Sequence, residues 1–166
     1  MNRPPSPDAV DDTGGFARVV HRSRVQWSDT DAGGHHHNTA IVRFVEAAEA
    51  ALMRERGVAG YFGAAPRVRH EVNFVSPLWF GQEVTTDLSV EHIGTSSMTF
   101  RFAVWGEETD RQPRRLAASG RYIVVHVLPG GEPTSAPWPK EWMTALRNHT
   151  QSESTCRCHS TQQERT

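Results

Sequence analysis

Hydrophobic residues recur along this chain with two periods, and the change from one to the other falls near Pro66. Ahead of it, Ile41, Phe44, Val45, Ala48 and Leu52 follow the i, i+3, i+4, i+7 spacing of a helix with one buried face. Arg43, Ala47, Arg54 and Arg56 fall on the opposite side, Asn38 or Thr39 is placed to cap the start, and Gly57 to stop the end. Beyond Pro66 the period is 2. Val68, His70, Val72 and Phe74 share one face of a strand, and Val84, Thr86, Leu88 and Val90 one face of the next. Met98, Phe100, Phe102 and Val104 form the inner face of a third. Ala118, Gly120, Tyr122 and Val124 form that of a run over 115–127. A further strand over 18–28 precedes the helix, with His21, Ser23, Val25 and Trp27 on one face. Tyr61 and Phe62 are expected to pin the connector 58–66, and a short helical pattern over 140–147, opened by Pro137 and Pro139, closes the chain. Consecutive strands on short loops are antiparallel, so the expectation is one α+β domain. In it a long central helix is wrapped by a five-stranded antiparallel sheet, with a short C-terminal helix.

Composition narrows the class. Residues 1–15 and 149–166 have almost nothing to bury and read as disordered, leaving residues 16–148 as a single domain of the 166-residue chain. A formal net charge of −1 gives nucleic acid or an anionic membrane no handle. No apolar run reaches membrane-spanning length and no signal-peptide core is present, so the chain reads as cytoplasmic. Cys156 and Cys158 read as two exposed thiols of the polar tail, not a disulfide framework.

The chemistry concentrates at residues 27–57, WSDTDAGGHHHNTAIVRFVEAAEAALMRERG. An acidic turn rich in glycine and histidine feeds straight into the buried helix. The first turn of a helix carries unpaired N–H groups and roughly half a positive charge, which suits a developing oxyanion. Asp31 reads either as a turn-forming carboxylate or as a base or nucleophile, and Asp29 as a loop organiser. Gly33 and Gly34 let the backbone bend close to a substrate. Glu46 and Glu49, off the apolar stripe, read as solvated charges, and His70 as a satisfied core histidine. No metal is expected. Three adjacent histidines cannot easily converge on one ion, and a calcium loop begun at Asp29 would need an acid where Ala40 stands. Phe44, Phe74, Trp79, Phe100 and Tyr122 can line an aromatic or a long-chain pocket equally well.

The turn Asp29-Thr30-Asp31-Ala32-Gly33-Gly34, the seven-residue step from Asp31 to Asn38 and the helix with Phe44-Val45-Glu46 resemble the 4-hydroxybenzoyl-CoA thioesterase family of hotdog-fold proteins. The likeness is closest to the Tol-Pal-associated acyl-CoA thioesterase branch. Residues 72–102 are similar to that family's second to fourth strands, so the likeness spans 18–127. It implies hydrolysis of an acyl-CoA or acyl carrier protein thioester, without a cofactor. It also implies a homodimer or homotetramer with active sites at the dimer interface. On the same likeness Asp31 is the catalytic carboxylate and the backbone N–H of Asn38 polarises the carbonyl. The sequence departs from the branch in having His37-Asn38 where a Tyr-His pair is common. Asn38 cannot move a proton, which leaves that part to His35, His36 or His37, with His37 taken as the catalytic assignment. Gly34, His35, His36, Thr39, Phe44, Ser96 and Ser97 are the expected substrate contacts. The turn at 94–97 lacks the positive charge with which some relatives meet the nucleotide of coenzyme A, so a carrier-protein thioester stands beside a CoA one. Two other readings follow: a hotdog protein that binds an acyl chain or carrier without cleaving it, and a hotdog dehydratase acting on 3-hydroxyacyl thioesters. The order of residues is wrong for the dehydratase.

Overall fold

The computed structural model describes residues 15–128, 130 and 134–147, so the tails read as disordered and the two cysteines lie outside the described residues, Gly15 apart. Strand β1 (Arg18–Arg24) leads through a short 3₁₀ turn (Trp27–Asp29) to helix α1 (Ala40–Glu55) and a single turn, α2 (Tyr61–Ala64). Strands β2 (Arg67–Phe74), β3 (Glu83–Ile93), β4 (Ser97–Gly106) and β5 (Arg115–Val125) follow, and α3 (Lys140–Arg147) ends the described chain. All pairings are antiparallel, and the five-stranded sheet has the order β1-β3-β4-β5-β2.

The helix stripe forms as its spacing predicts. Ile41, Phe44, Val45, Ala48 and Leu52 are each fully buried, against the inner faces of β3 and β4 with Leu88, Met98, Phe100 and Val104. Each of these side chains larger than alanine contributes roughly 1.5–3 kcal/mol of hydrophobic stabilisation. Thr39 is the N-cap residue, and Gly57 takes the left-handed φ of +67° that ends the helix. The outer sheet face carries the polar set, with ion pairs Arg18–Asp87, Arg24–Glu83 and Arg121–Glu91. Such exposed pairs are worth about 0–1 kcal/mol each, so the core and not the charge lattice holds the sheet on the helix.

Five features depart from the sequence reading. First, β1 stops at Arg24 rather than running to Ser28, and Trp27, expected to share a strand face with Val25, is 79% exposed in the 3₁₀ turn. Second, β2 and β3 are consecutive in the chain but lie apart, because the segment after β2 carries the chain across one end of the sheet. Leu78 of that segment is buried and clamped to the His-rich loop, with His36 N donating to Leu78 O at 2.8 Å.

Third, a bulge between Arg67 and Arg69 breaks the alternation of β2. Arg67 pairs with Val124 and His70 with Tyr122, so both share the inner face, while Val68 is pushed out to 60% exposure. Fourth, and as a consequence, Glu49 is not a solvated charge but only 2% exposed. It accepts from Arg67 Nη2 at 2.6 Å and from the Tyr61 hydroxyl at 2.8 Å. Burial pushes its carboxyl above the ordinary range against the pull of Arg67. Glu46 does stay exposed, 3.4 Å from Arg67 Nη1. Fifth, His70 packs against Phe102 and Tyr122, yet its buried Nε2 has no partner among the described residues, so it is not a satisfied core histidine.

Candidate active site

The loop between β1 and α1 is built around Asp29. Its carboxylate is buried and accepts from Gln26 N at 2.8 Å, from Arg43 Nε at 2.7 Å and from Arg43 Nη2. Its carbonyl accepts from His37 N at 2.8 Å. Burial alone would raise this carboxyl, but the Arg43 and Gln26 hydrogen bonds outweigh it and hold it below the usual carboxylate range. Asp29 is therefore the organising carboxylate of the loop.

Asp31 stands in a different environment. It is exposed, its Oδ1 accepts from Gly33 N at 2.7 Å, and its carbonyl accepts from Gly34 N at 3.0 Å. Gly34 sits at φ +77°, where a side chain would be strained. Among the described residues, nothing engages Asp31 Oδ2. The carboxylate opens onto a groove of about 500 Å³ lined on one side by Asp31, His35, His36, His37 and Asn38. Phe74, Val75, Ser76 and Pro77, from the end of β2 and the start of the crossing segment, form its other wall. Of these Phe74 was foreseen. Ser76 and Pro77 were legible only as the start of the break over 76–81 between strands, and Val75 was not singled out.

Asn38, just ahead of the helix, lines the same groove, whereas Gly34 and the N-cap Thr39 are not part of its lining. Thr39, exposed, spends its hydroxyl on His37 Nδ1 at 2.6 Å and makes no side-chain cap. The N–H groups of Asn38 and Thr39 have no acceptor among the described residues, whereas Ala40 N donates to His37 O at 3.0 Å. The histidines separate by environment. His37 has both ring nitrogens engaged, Nε2 with Ser28 O at 2.9 Å and Nδ1 with Thr39. His36 is buried, and its Nδ1 accepts from Leu78 N at 2.9 Å. Burial first, then neighbouring His35, hold this imidazole's pKa below its ordinary value. His35 is half-buried, edge-on to Trp79 with ring centroids 6.0 Å apart.

The remaining expected contacts lie elsewhere. Phe44 is fully buried in the core with the Arg43 guanidinium 4.5 Å over its ring, and Phe100 and Tyr122 are core residues too. Ser96 and Ser97 sit where β4 begins, beside the end of β5, at the end of the sheet opposite to the groove. Among the described residues no three metal-ligating side chains converge.

Residues 25–146 match the family model of the thioesterase-like superfamily. No curated protein matches the chain at a significant level. Among solved structures the chain is similar to a 1,4-dihydroxy-2-naphthoyl-CoA thioesterase from Synechocystis. The TM-score is 0.69 at 18% identity, over 77% of this chain and 94% of that one. It is similar to 4-hydroxybenzoyl-CoA thioesterase from Pseudomonas sp. strain CBS-3 with a TM-score of 0.71 at 16% identity, over 78% and 99%. A thioesterase from Thermus thermophilus complexed with coenzyme A and zinc gives 0.66 at 24% identity, over 80% and 93%. At these identities the likeness establishes the hotdog fold.

Proposed function

The chain belongs to the thioesterase-like superfamily, and from that premise we propose that it hydrolyses an acyl thioester in the groove between the His-rich loop and the end of β2. The observation that carries the reading is that Asp31 and Asn38, whose N–H has no acceptor among the described residues, line one groove. Thioester hydrolysis needs a base or nucleophile at the carbonyl carbon and a donor for the oxyanion. Asp31 supplies the first, either by deprotonating a water or by attacking directly, and the Asn38 N–H supplies the second. One such donor is typically worth roughly 10²–10³ in rate. Acyl-CoA is the substrate class that the similar structures favour, two being named for CoA thioesters and one binding coenzyme A.

The free edge of β2 supports a homodimer. Val68, Phe74 and Val75 on or beside this edge strand are 60%, 54% and 60% exposed. Antiparallel pairing of two such edges about a two-fold axis removes an unpaired strand edge. It also reverses the sheet direction. Ser96 and Ser97 of the partner subunit then come to the end of the sheet that carries Asp31, which the geometry of one chain does not allow.

Purified protein incubated with a panel of acyl-CoAs and a thiol reagent tests the proposal. Release of free thiol is expected, with kcat/KM falling by ~10³ or more in Asp31→Ala at unchanged melting temperature. Unchanged turnover in that variant removes Asp31 from the mechanism. Acyl binding with no thiol release on any substrate would instead establish the non-hydrolytic reading.

A further inference from the structure

The histidines at positions 35, 36 and 37 are indistinguishable as a sequence run and have three different hydrogen-bonding states in the fold. A carbonyl only accepts, so the Nε2 of His37 donates to Ser28 O, and its Nδ1 is occupied by the Thr39 hydroxyl. A backbone N–H only donates, so the Nδ1 of His36 is the lone-pair nitrogen facing Leu78 N, and burial disfavours the charged form of the ring. His35 is the reverse case. Its Nδ1 lies 3.3 Å from His36 O and therefore carries the proton, which leaves Nε2 as a basic nitrogen. Nothing among the described residues engages that nitrogen.

Gly33 shows where that nitrogen points. A Cβ built at Gly33 would lie 3.0 Å from Asp31 Oδ1 and 3.1 Å from His35 Nε2. The carboxylate and the basic nitrogen therefore flank one position, at a separation that a single water bridges, and the missing side chain keeps the space between them open. Asp31 and His35 line the same groove as Asn38, whose N–H has no acceptor among the described residues.

We propose that His35, and neither His36 nor His37, is the catalytic acid that protonates the departing sulfur, an assignment that rests on the thioester-hydrolase reading above. Asp31 takes a proton from the water that attacks the carbonyl carbon. The C–O bond forms and the oxyanion is held at Asn38 N–H. The proton passes from Asp31 to His35 Nε2 as the tetrahedral intermediate stands. When the C–S bond breaks, its electron pair stays on sulfur, and the His35 imidazolium delivers the proton there. Asp31 and His35 end as they began, and the products are one carboxylic acid and one thiol.

A leaving-group comparison tests this. Wild type, His35→Asn and His35→Gln are assayed on two thioesters of one acyl group, the CoA ester and the thiophenyl ester. Asn retains an N–H for the His36 carbonyl while removing Nε2, so local structure is kept. A CoA thiolate leaves poorly without a proton and an aryl thiolate leaves well. Both variants are expected to lose roughly 10²–10⁴ in kcat/KM on the CoA ester and no more than about tenfold on the thiophenyl ester. Equal losses on the two esters, or no loss on either, overturn the role of His35. In that case the hydrolase reading stands if Asp31→Ala still abolishes wild-type turnover. Absence of thiol release by the wild type from either ester would overturn both.

Discussion

At Gly120 of β5 there is no room for a side chain against β2, and replacing it with alanine puts a number on how firmly β2 is held. It pairs with Val72, and an added Cβ would sit 1.9 Å from the carbonyl oxygen of Glu71 and 2.7 Å from Cζ of Phe102. Cβ contacts below 3.0 Å do not occur, so the Glu71 oxygen has to retreat by at least about 1 Å. That oxygen is backbone and cannot swing aside as a side chain does. Phe102, 2% exposed in the core, has little room to yield. Separating β2 from β5 by that distance breaks the ladder bonds that flank residue 72. Two or three bonds at ~0.5–1.5 kcal/mol each, with overpacking against Phe102, give a loss of ~3 kcal/mol, or roughly 10 °C in melting temperature. Urea denaturation followed by tryptophan fluorescence measures the loss. Amide exchange locates it, with β2 protection expected to fall more than that of β3 and β4. Gly120→Ala within about 0.5 kcal/mol of wild type, or with unchanged β2 exchange, would show that the reasoning from the close approach is wrong.

Asp29→Asn should cost ~2 kcal/mol at neutral pH, after allowance for the 38% exposure of the Arg43 side chain in this pair. The folded Asp29 carboxyl titrates below its unfolded value of about 3.9, so its contribution is present above that value and lost as pH falls through the folded one. The stability gap between wild type and Asp29→Asn should therefore narrow as pH falls below about 4; a gap that stays undiminished in acid contradicts the assignment. His36 acts at higher pH. With its folded pKa depressed, the unfolded chain binds the proton first, so stability falls as pH drops below about 6.5. His36→Asn places an amide oxygen where Nδ1 accepts from Leu78 N and should show a shallower fall in melting temperature between pH 7 and 5. Parallel curves for the two proteins would exclude His36 as the source.

Periodicity in the sequence determined the helix stripe from Ile41 to Leu52 and the inner faces of β3, β4 and β5. Those choices depend on which residues sit three, four or two positions apart. The acidic turn before the helix was legible for a similarly local reason, and so was Asp29 as its organiser. The residues left Asp31 open between a turn-forming carboxylate and a base or nucleophile, and only the family resemblance chose between them. Only tertiary structure decided that β2 lies against β5 and not β3, since the pairing of a strand is set by elements far off in the chain. The bulge at Val68 followed from that pairing. It turned Arg67 inward and made a buried ion-paired group of Glu49, which its position off the stripe had suggested was solvated. The histidine run shows the limit most plainly. Three identical side chains have identical chemistry until a carbonyl at Ser28, an amide at Leu78 or a missing Cβ at Gly33 tells each ring nitrogen whether to donate, accept or stay free.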